Sequence, residues 1–155
     1  MRWAAARLDP THAGYLIDAG GDCACRGPGP DGPGWRIGVE DPRGGDDPLV
    51  VLELRDAACA TSSTRVRTWR SGSRTVHHLI DPRTGSPGGH GLASVTVVAD
   101  DPAEAEVLSK VLFLHGRRRI AAEAARRSVA ALWVGVDGSV GESPRFDRHV
   151  LWRAA

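Results

Sequence analysis

The chain is short of cysteine, with three in 155 residues, and the odd number excludes a fully paired secreted disulfide framework. Cys23 and Cys25 fall on one face of an expected strand with no second ligand pair nearby, which makes a poor zinc site. With Cys59 they read as buried structural thiols. An excess of one charge is missing too: 20 Lys and Arg stand against 19 Asp and Glu, a formal net charge of +1. That balance points away from nucleic acid as a partner and from a polybasic membrane anchor. The arginines at 117–119 and 126–127 are interrupted by Glu123 and read as a solvated helix face. No apolar run approaches a membrane span. The opening MRWAAARLDPTHAG also lacks an apolar core long enough for a secretory signal, so the expected location is cytoplasmic. There is no internal repeat. No Gly-x-Gly-x-x-Gly opens a helix after a strand, which argues against a nicotinamide-dependent oxidoreductase.

What is present is ordinary globular material, 41% hydrophobic and 25% charged, at a length expected to form one domain over 1–155. A short helix is expected over Arg2 to Leu8, stopped by Asp9-Pro10. Strands are expected at Tyr15 to Asp18, Cys23 to Arg26, Trp35 to Glu40 and Leu49 to Leu54, with Asp56 to Thr61 pairing with the last of these. Val66 to Trp69 and Thr75 to Ile80 flank Ser71-Gly72-Ser73 as a hairpin. The breakers in Asp81 to Gly91 predict a loop, and the β-branched run Ala93 to Ala99 predicts a central strand.

The best punctuated helix begins at Asp101-Pro102, with Glu104 placed to close a capping box and Gly116 as its stop. Its apolar stripe reads as Val107, Leu108, Val111 and Leu112. A helix at Ile120 to Arg127, a strand–turn–strand around Val136 to Ser139 and a last strand at His149 to Trp152 complete the pattern. Many strands and few helices, out of strict alternation, indicate an α+β fold: a mixed, largely antiparallel sheet with a few packed helices.

Three groups could carry chemistry. His78 ends an expected strand three residues before Asp81, and an imidazole beside a carboxylate can take a hydroxyl proton. Spacing alone favours a plainer reading, a surface histidine with Asp81 capping the Pro82-Arg83-Thr84-Gly85 turn. Glu106, Ser109 and Lys110, at i, i+3 and i+4, are expected on the helix face opposite the apolar stripe. They could contact a cation or phosphate, but spacing alone favours a routine Glu–Lys helix pair. Gly20-Gly21-Asp22 is a sharp turn where a ligand could approach the backbone, and an ordinary hairpin turn explains it as well.

Six segments occur in one order: DAGGD (Asp18 to Asp22), WRIGVEDPR (Trp35 to Arg43), ATSS (Ala60 to Ser63), HHLIDPRTG (His77 to Gly85), SVTVVA (Ser94 to Ala99) and AEAEVLSKVLFLHG (Ala103 to Gly116). Together they resemble the C-terminal half of the ApbE-type flavin transferases, the FAD:protein FMN transferases. The resemblance implies an enzyme that splits the pyrophosphate of FAD. It joins FMN through a phosphoester to a Thr or Ser hydroxyl of an acceptor flavoprotein and releases AMP, with Mg2+ assisting. It implies His78 as base and Asp81 as its orienter. Gly20, Gly21 and Asp22 would border the FAD cleft, Thr84 would shape its flavin-side wall, and Lys110 would meet the pyrophosphate. Glu106 and Ser109 would be the magnesium ligands.

Two departures accompany the resemblance. The family's metal ligands on this helix are usually an Asp with a Thr four residues on, where this chain has Glu106 and Lys110, and an ammonium cannot coordinate magnesium. Members also carry an N-terminal half with an Asp-x-Gly-Gly-x-Ala-Lys-Gly segment, and this chain is expected to start just after it, on the tail of the following helix. The expectation is therefore a transferase impaired on its own, which dimerises, aggregates or pairs with a missing N-terminal half. The alternative is a catalytically degenerate module that binds flavin nucleotide or a partner.

Overall fold

The computed structural model describes residues 1–8 and 11–154. The expected Asp9-Pro10 stop lies outside the described residues. Helix α1 covers only Arg2–Ala5, shorter than expected, and buries none of its own residues. Arg2 ties it to the main body through an ion pair with Asp101.

Strands β1 (Tyr15–Asp18), β2 (Cys23–Arg26) and β3 (Trp35–Glu40) form where alternation and flanking glycines predict them. After them come β4 (Pro48–Leu54) and β5 (Ala57–Ser63). β4 does not pair with β5, contrary to expectation. β4 lies in a three-stranded sheet ordered β13-β4-β3, where β13 is Val150–Arg153. β5 lies in a six-stranded sheet ordered β1-β2-β5-β10-β11-β12, with β10 at Leu92–Ala99, β11 at Ala130–Gly135 and β12 at Val140–Glu142. The cause is at the link. Asp56 adopts φ 53, and its carboxylate accepts from the Gly27 N–H at 3.0 Å, which turns the chain from one layer into the other. Every ladder among the described residues is antiparallel.

The two sheets meet face to face. Val50, Leu52 and Leu54 of the small sheet pack on Cys23, Cys25, Cys59, Val98 and Leu132 of the large one, with Phe146 buried between them. The three cysteines are free and buried, as expected. The other face of the large sheet carries α2 (Pro102–His115) and α3 (Ile120–Arg127). Leu112, Phe113 and Ile120 cover Val95, Val97 and Ala131 there. β10 is flanked by β5 and β11 and is central, as its β-branched sequence predicts.

The start of α2 follows the sequence. Asp101 accepts from the Ala103 and Glu104 N–H groups, Pro102 opens the first turn, and Gly116 at φ 70 ends the helix. Its packing face follows it in part, with Leu108 and Leu112 of the expected stripe packed on the sheet. The buried residues are Ala105, Ser109, Leu112 and Phe113, while Val107 is 58% exposed. Ala105 packs against Ala24, Ala58 and Ala60, so small residues on helix and sheet bring α2 down close to β5. That close approach, and not the bulkiest stripe, sets the rotation of the helix.

Candidate active site

The hairpin is built by β6 (Thr68–Ser71) and β7 (Arg74–His77), joined at Gly72, where φ is 61. The strand ends at His77, one residue earlier than expected for His78 and three earlier than for Ile80. Leu79 turns into the core, and its N–H reaches His77 Nδ1 at 3.3 Å. Two-residue strands β8 (Ile80–Asp81) and β9 (Ser86–Pro87) then pair inside the stretch expected to be irregular. Between them Thr84 and Gly85 donate their N–H groups to the Asp81 carbonyl at 3.1 and 2.9 Å, and Gly85 takes φ 65.

His78 and Asp81 each have partners, but not each other. The His78 backbone N–H and Nδ1 both meet the Arg67 carbonyl, at 3.3 and 3.4 Å. A carbonyl only accepts, so Nδ1 carries the proton of the neutral ring and Nε2 is left as the basic nitrogen. Asp81 receives the Arg83 N–H and Nε at Oδ1, both at 3.0 Å, and Arg83 Nη2 at Oδ2, at 2.7 Å. That clamp holds the carboxyl down at about 2. The expectation that Asp81 orients His78 is corrected accordingly: the Arg67 carbonyl meets the ring, and Asp81 ties the turn. Thr84 Oγ1 accepts from the Ser86 N–H at 3.3 Å, within that same turn.

The turn docks on α2. The His77 ring stands edge-on to Phe113, with centroids 5.9 Å apart and planes at 90°. Gly89, at φ 69, lies so close under the Phe113 ring that no Cβ fits there. His77 is thus the residue that sequence reasoning passed over, its anchoring role hidden beside His78. The signal available was the facing aromatic at 113. Burial, helped by the charges of His78 and His90, pushes its pKa down.

Asp22, Glu106 and Lys110 form a second cluster, one helical turn before Phe113. Lys110 Nζ pairs with the Glu106 carboxylate across i, i+4. The Asp22 carboxyl lies beside that of Glu106, close enough for each charge to act on the other. Burial first, and then the neighbouring Glu106 carboxylate, push Asp22 up. Gly20 and Gly21, at φ 75 and 93, carry the chain into this corner and leave open space on the side a Cβ would occupy. Asp18 Oδ1 closes the turn on the Gly21 N–H at 2.9 Å. The sequence placed Asp22 and Glu106 in different parts of the site; the structure brings them into contact.

Ser109 is not on that face. It is fully buried, its hydroxyl 2.8 Å from that of Ser62 and 3.0 Å from the Glu106 carbonyl. The expected shared face with Glu106 and Lys110 is corrected: Ser109 falls in the row of Ala105 and Leu112, which faces the sheet. The donors therefore do not fit a magnesium ion. Glu106 is held by an ammonium, Ser109 is enclosed, and among the described residues no group of three His, Cys, Asp or Glu could hold a metal. Two surface hollows lie elsewhere, one between α1 and β2, the other between His90 and the residues at 116–119. No helix among the described residues is long and apolar enough to cross a membrane.

Comparison with known proteins places this geometry. A protein named FAD:protein FMN transferase from Salmonella typhimurium is 30% identical over 143 residues, which span 90% of this chain and 41% of that protein. The crystal structure of the ApbE protein from Thermotoga maritima superposes with a TM-score of 0.78 at 33% identity, covering 88% of this chain and 44% of that one. The apo flavinyl transferase ApbE of Pseudomonas stutzeri gives a TM-score of 0.76 at 28% identity, covering 99% and 47%. The chain thus spans less than half the length of these relatives, and the names of the Salmonella and Pseudomonas proteins speak of flavin transfer. The model of the ApbE family matches residues 4–133, most of the chain, and the chain belongs to that family.

Proposed function

We propose that this chain carries the acceptor-activating part of an FAD:protein FMN transferase. The observation that supports this most directly is the His78 ring, held by one nitrogen on the Arg67 carbonyl with the other unpartnered among the described residues, in a turn docked on the helix that carries Glu106 and Lys110. In the proposed reaction the oxygen of an acceptor Thr or Ser hydroxyl attacks the FMN phosphorus of FAD. The P–O bond of the pyrophosphate breaks, AMP leaves, and the hydroxyl proton passes to His78 Nε2. Gly20, Gly21 and Asp22 would line the dinucleotide, and Thr84 the flavin side. The residues do not fit the magnesium ion that the family resemblance implies, so no step runs through it.

A second reading has its own support. Glu106 is already neutralised by Lys110, and neither surface hollow is lined by His78 or Lys110, which suits a module that binds flavin nucleotide or a partner without chemistry. The two readings separate in one experiment. The chain, alone and joined to the N-terminal half of a full-length relative, is incubated with FAD and a Thr-bearing acceptor peptide, and peptide-bound flavin is read by fluorescence on a denaturing gel. Labelling that disappears in His78→Ala supports transfer. FAD binding with no labelling supports the module, and the absence of both refutes the flavin reading.

A further inference from the structure

We infer that the ammonium of Lys110 holds the place of a divalent cation beside Glu106 and Asp22, so that this corner brings its own positive charge and excludes magnesium. The claim rests on the transferase reading for what the charge is for, which is contact with a diphosphate. It does not rest on that reading for the exclusion itself. Lys110 and Glu106 are paired across one turn of α2, so their separation is set by the helix. Asp22 approaches the same carboxylate from the turn before β2, which Asp18 closes on the Gly21 N–H. Two carboxylates and one ammonium carry at most one net negative charge, too little to draw a strongly hydrated dication out of water.

The helix offers no neutral oxygen in compensation. Ser109, the nearest hydroxyl on α2, is enclosed and spends its bonds on Ser62 and the Glu106 carbonyl. A dication entering the corner would have to displace the ammonium, or sit beside it against direct repulsion. Lys110 keeps 45% of its side chain exposed, so the same group can turn outward to a phosphate oxygen without unfolding anything.

The test is a titration of the whole chain with Mn2+, followed by electron paramagnetic resonance, in which bound manganese loses the signal of the free ion. Wild type is expected to bind no Mn2+ at this corner. Lys110→Thr removes the charge and supplies a hydroxyl, and should bind at least about tenfold more tightly than wild type. Glu106→Gln added to Lys110→Thr should abolish that gain. Circular dichroism melts of each variant check that the fold is kept. Equal Mn2+ binding by wild type and Lys110→Thr overturns the inference. So does failure of both to bind, because the ammonium would then not be what excludes the ion. FAD binding followed in EDTA keeps the two ideas apart: failure to bind FAD sinks the flavin reading and leaves the manganese result standing.

Discussion

The paired hydroxyls of Ser62 and Ser109 allow an asymmetric forecast. Ser109 Oγ lies 3.0 Å from the Glu106 carbonyl, which can only accept, so the Ser109 proton goes there. The 2.8 Å contact between the two hydroxyls must then be Ser62 donating to Ser109. Both side chains are buried, at 3% and 0% exposure. Ser109→Ala therefore strands the Ser62 O–H in a dry interior, which costs about 2 kcal/mol. Ser62→Ala takes away one donor but leaves Ser109 its bond to the carbonyl, and costs about 1 kcal/mol. The double substitution removes both hydroxyls and strands no donor, so it should fall about 1 kcal/mol short of the summed single losses.

Urea unfolding read by circular dichroism would measure all four proteins. With a slope of about 2 kcal/mol per molar, Ser109→Ala should lower the midpoint by about 1 M and Ser62→Ala by about half that. A loss in Ser62→Ala equal to or larger than that in Ser109→Ala would refute the assigned direction of the chain of hydrogen bonds. Strict additivity would refute the coupling. The series also bears on the site, since a hydroxyl that served a metal could be removed with little effect on stability.

Gly89→Ala should destabilise by about 2–4 kcal/mol in the same assay, because it adds a Cβ at φ 69 against the Phe113 ring. Asp81 is held at about 2 by Arg83, below its ordinary unfolded value of about 3.9, so its contribution to stability is complete above about pH 4 and is lost as pH falls toward 2. Asp81→Asn and Arg83→Ala should each flatten that acid limb in thermal melts taken from pH 5 to 2, and the double variant should add nothing further. His77 is depressed below its unfolded value of about 6.5, so the unfolded chain binds the proton first and stability should fall as pH drops below about 6.5. His77→Phe should weaken that dependence in melts between pH 8 and 5. Trp3, Val66 and Trp69 are all more than half exposed, and light scattering should find self-association that a Trp3→Ser/Trp69→Ser variant reduces.

Glycine and proline made β1, β2 and β3 legible to the residue, because a breaker on a short element leaves its ends little freedom. The partner of β4 was not legible in the same way. Arg55-Asp56 looks like a tight connection between adjacent strands, and only the left-handed Asp56 and its bond to Gly27 reveal a change of sheet. Local pattern says where a strand is; its partner is set by contacts between distant residues. On α2 apolar bulk gives only half of the packing face, Leu108 and Leu112. Val107 stands exposed, while Ala105 and Ser109 lie against Ala58, Ala60 and Ser62. The matched small residues of AEAEVLSK and ACATSS were the available signal, since two surfaces of small side chains can approach where bulky ones cannot.

That rotation of α2 decides how the site reads. With Ser109 turned to the sheet, only Glu106 and Lys110 of the expected trio remain beside Asp22. A Glu–Lys pair four residues apart on an exposed face would contribute little, about 0.3–0.5 kcal/mol. Here the carboxylate also lies beside a half-buried acid whose charge burial disfavours, so the ammonium offsets repulsion that water would otherwise screen. Spacing alone could not distinguish these cases, because Asp22 lies far away in the chain and enters only through the β2–β5 ladder and the Gly20-Gly21 turn. The same separation explains His78. Its neighbour in sequence, Asp81, is drawn off by Arg83, and the ring is met by a backbone carbonyl from the strand-to-hairpin link eleven residues upstream. Each candidate group is thus defined by a contact across the chain, and the local motif supplies only the groups to be brought together.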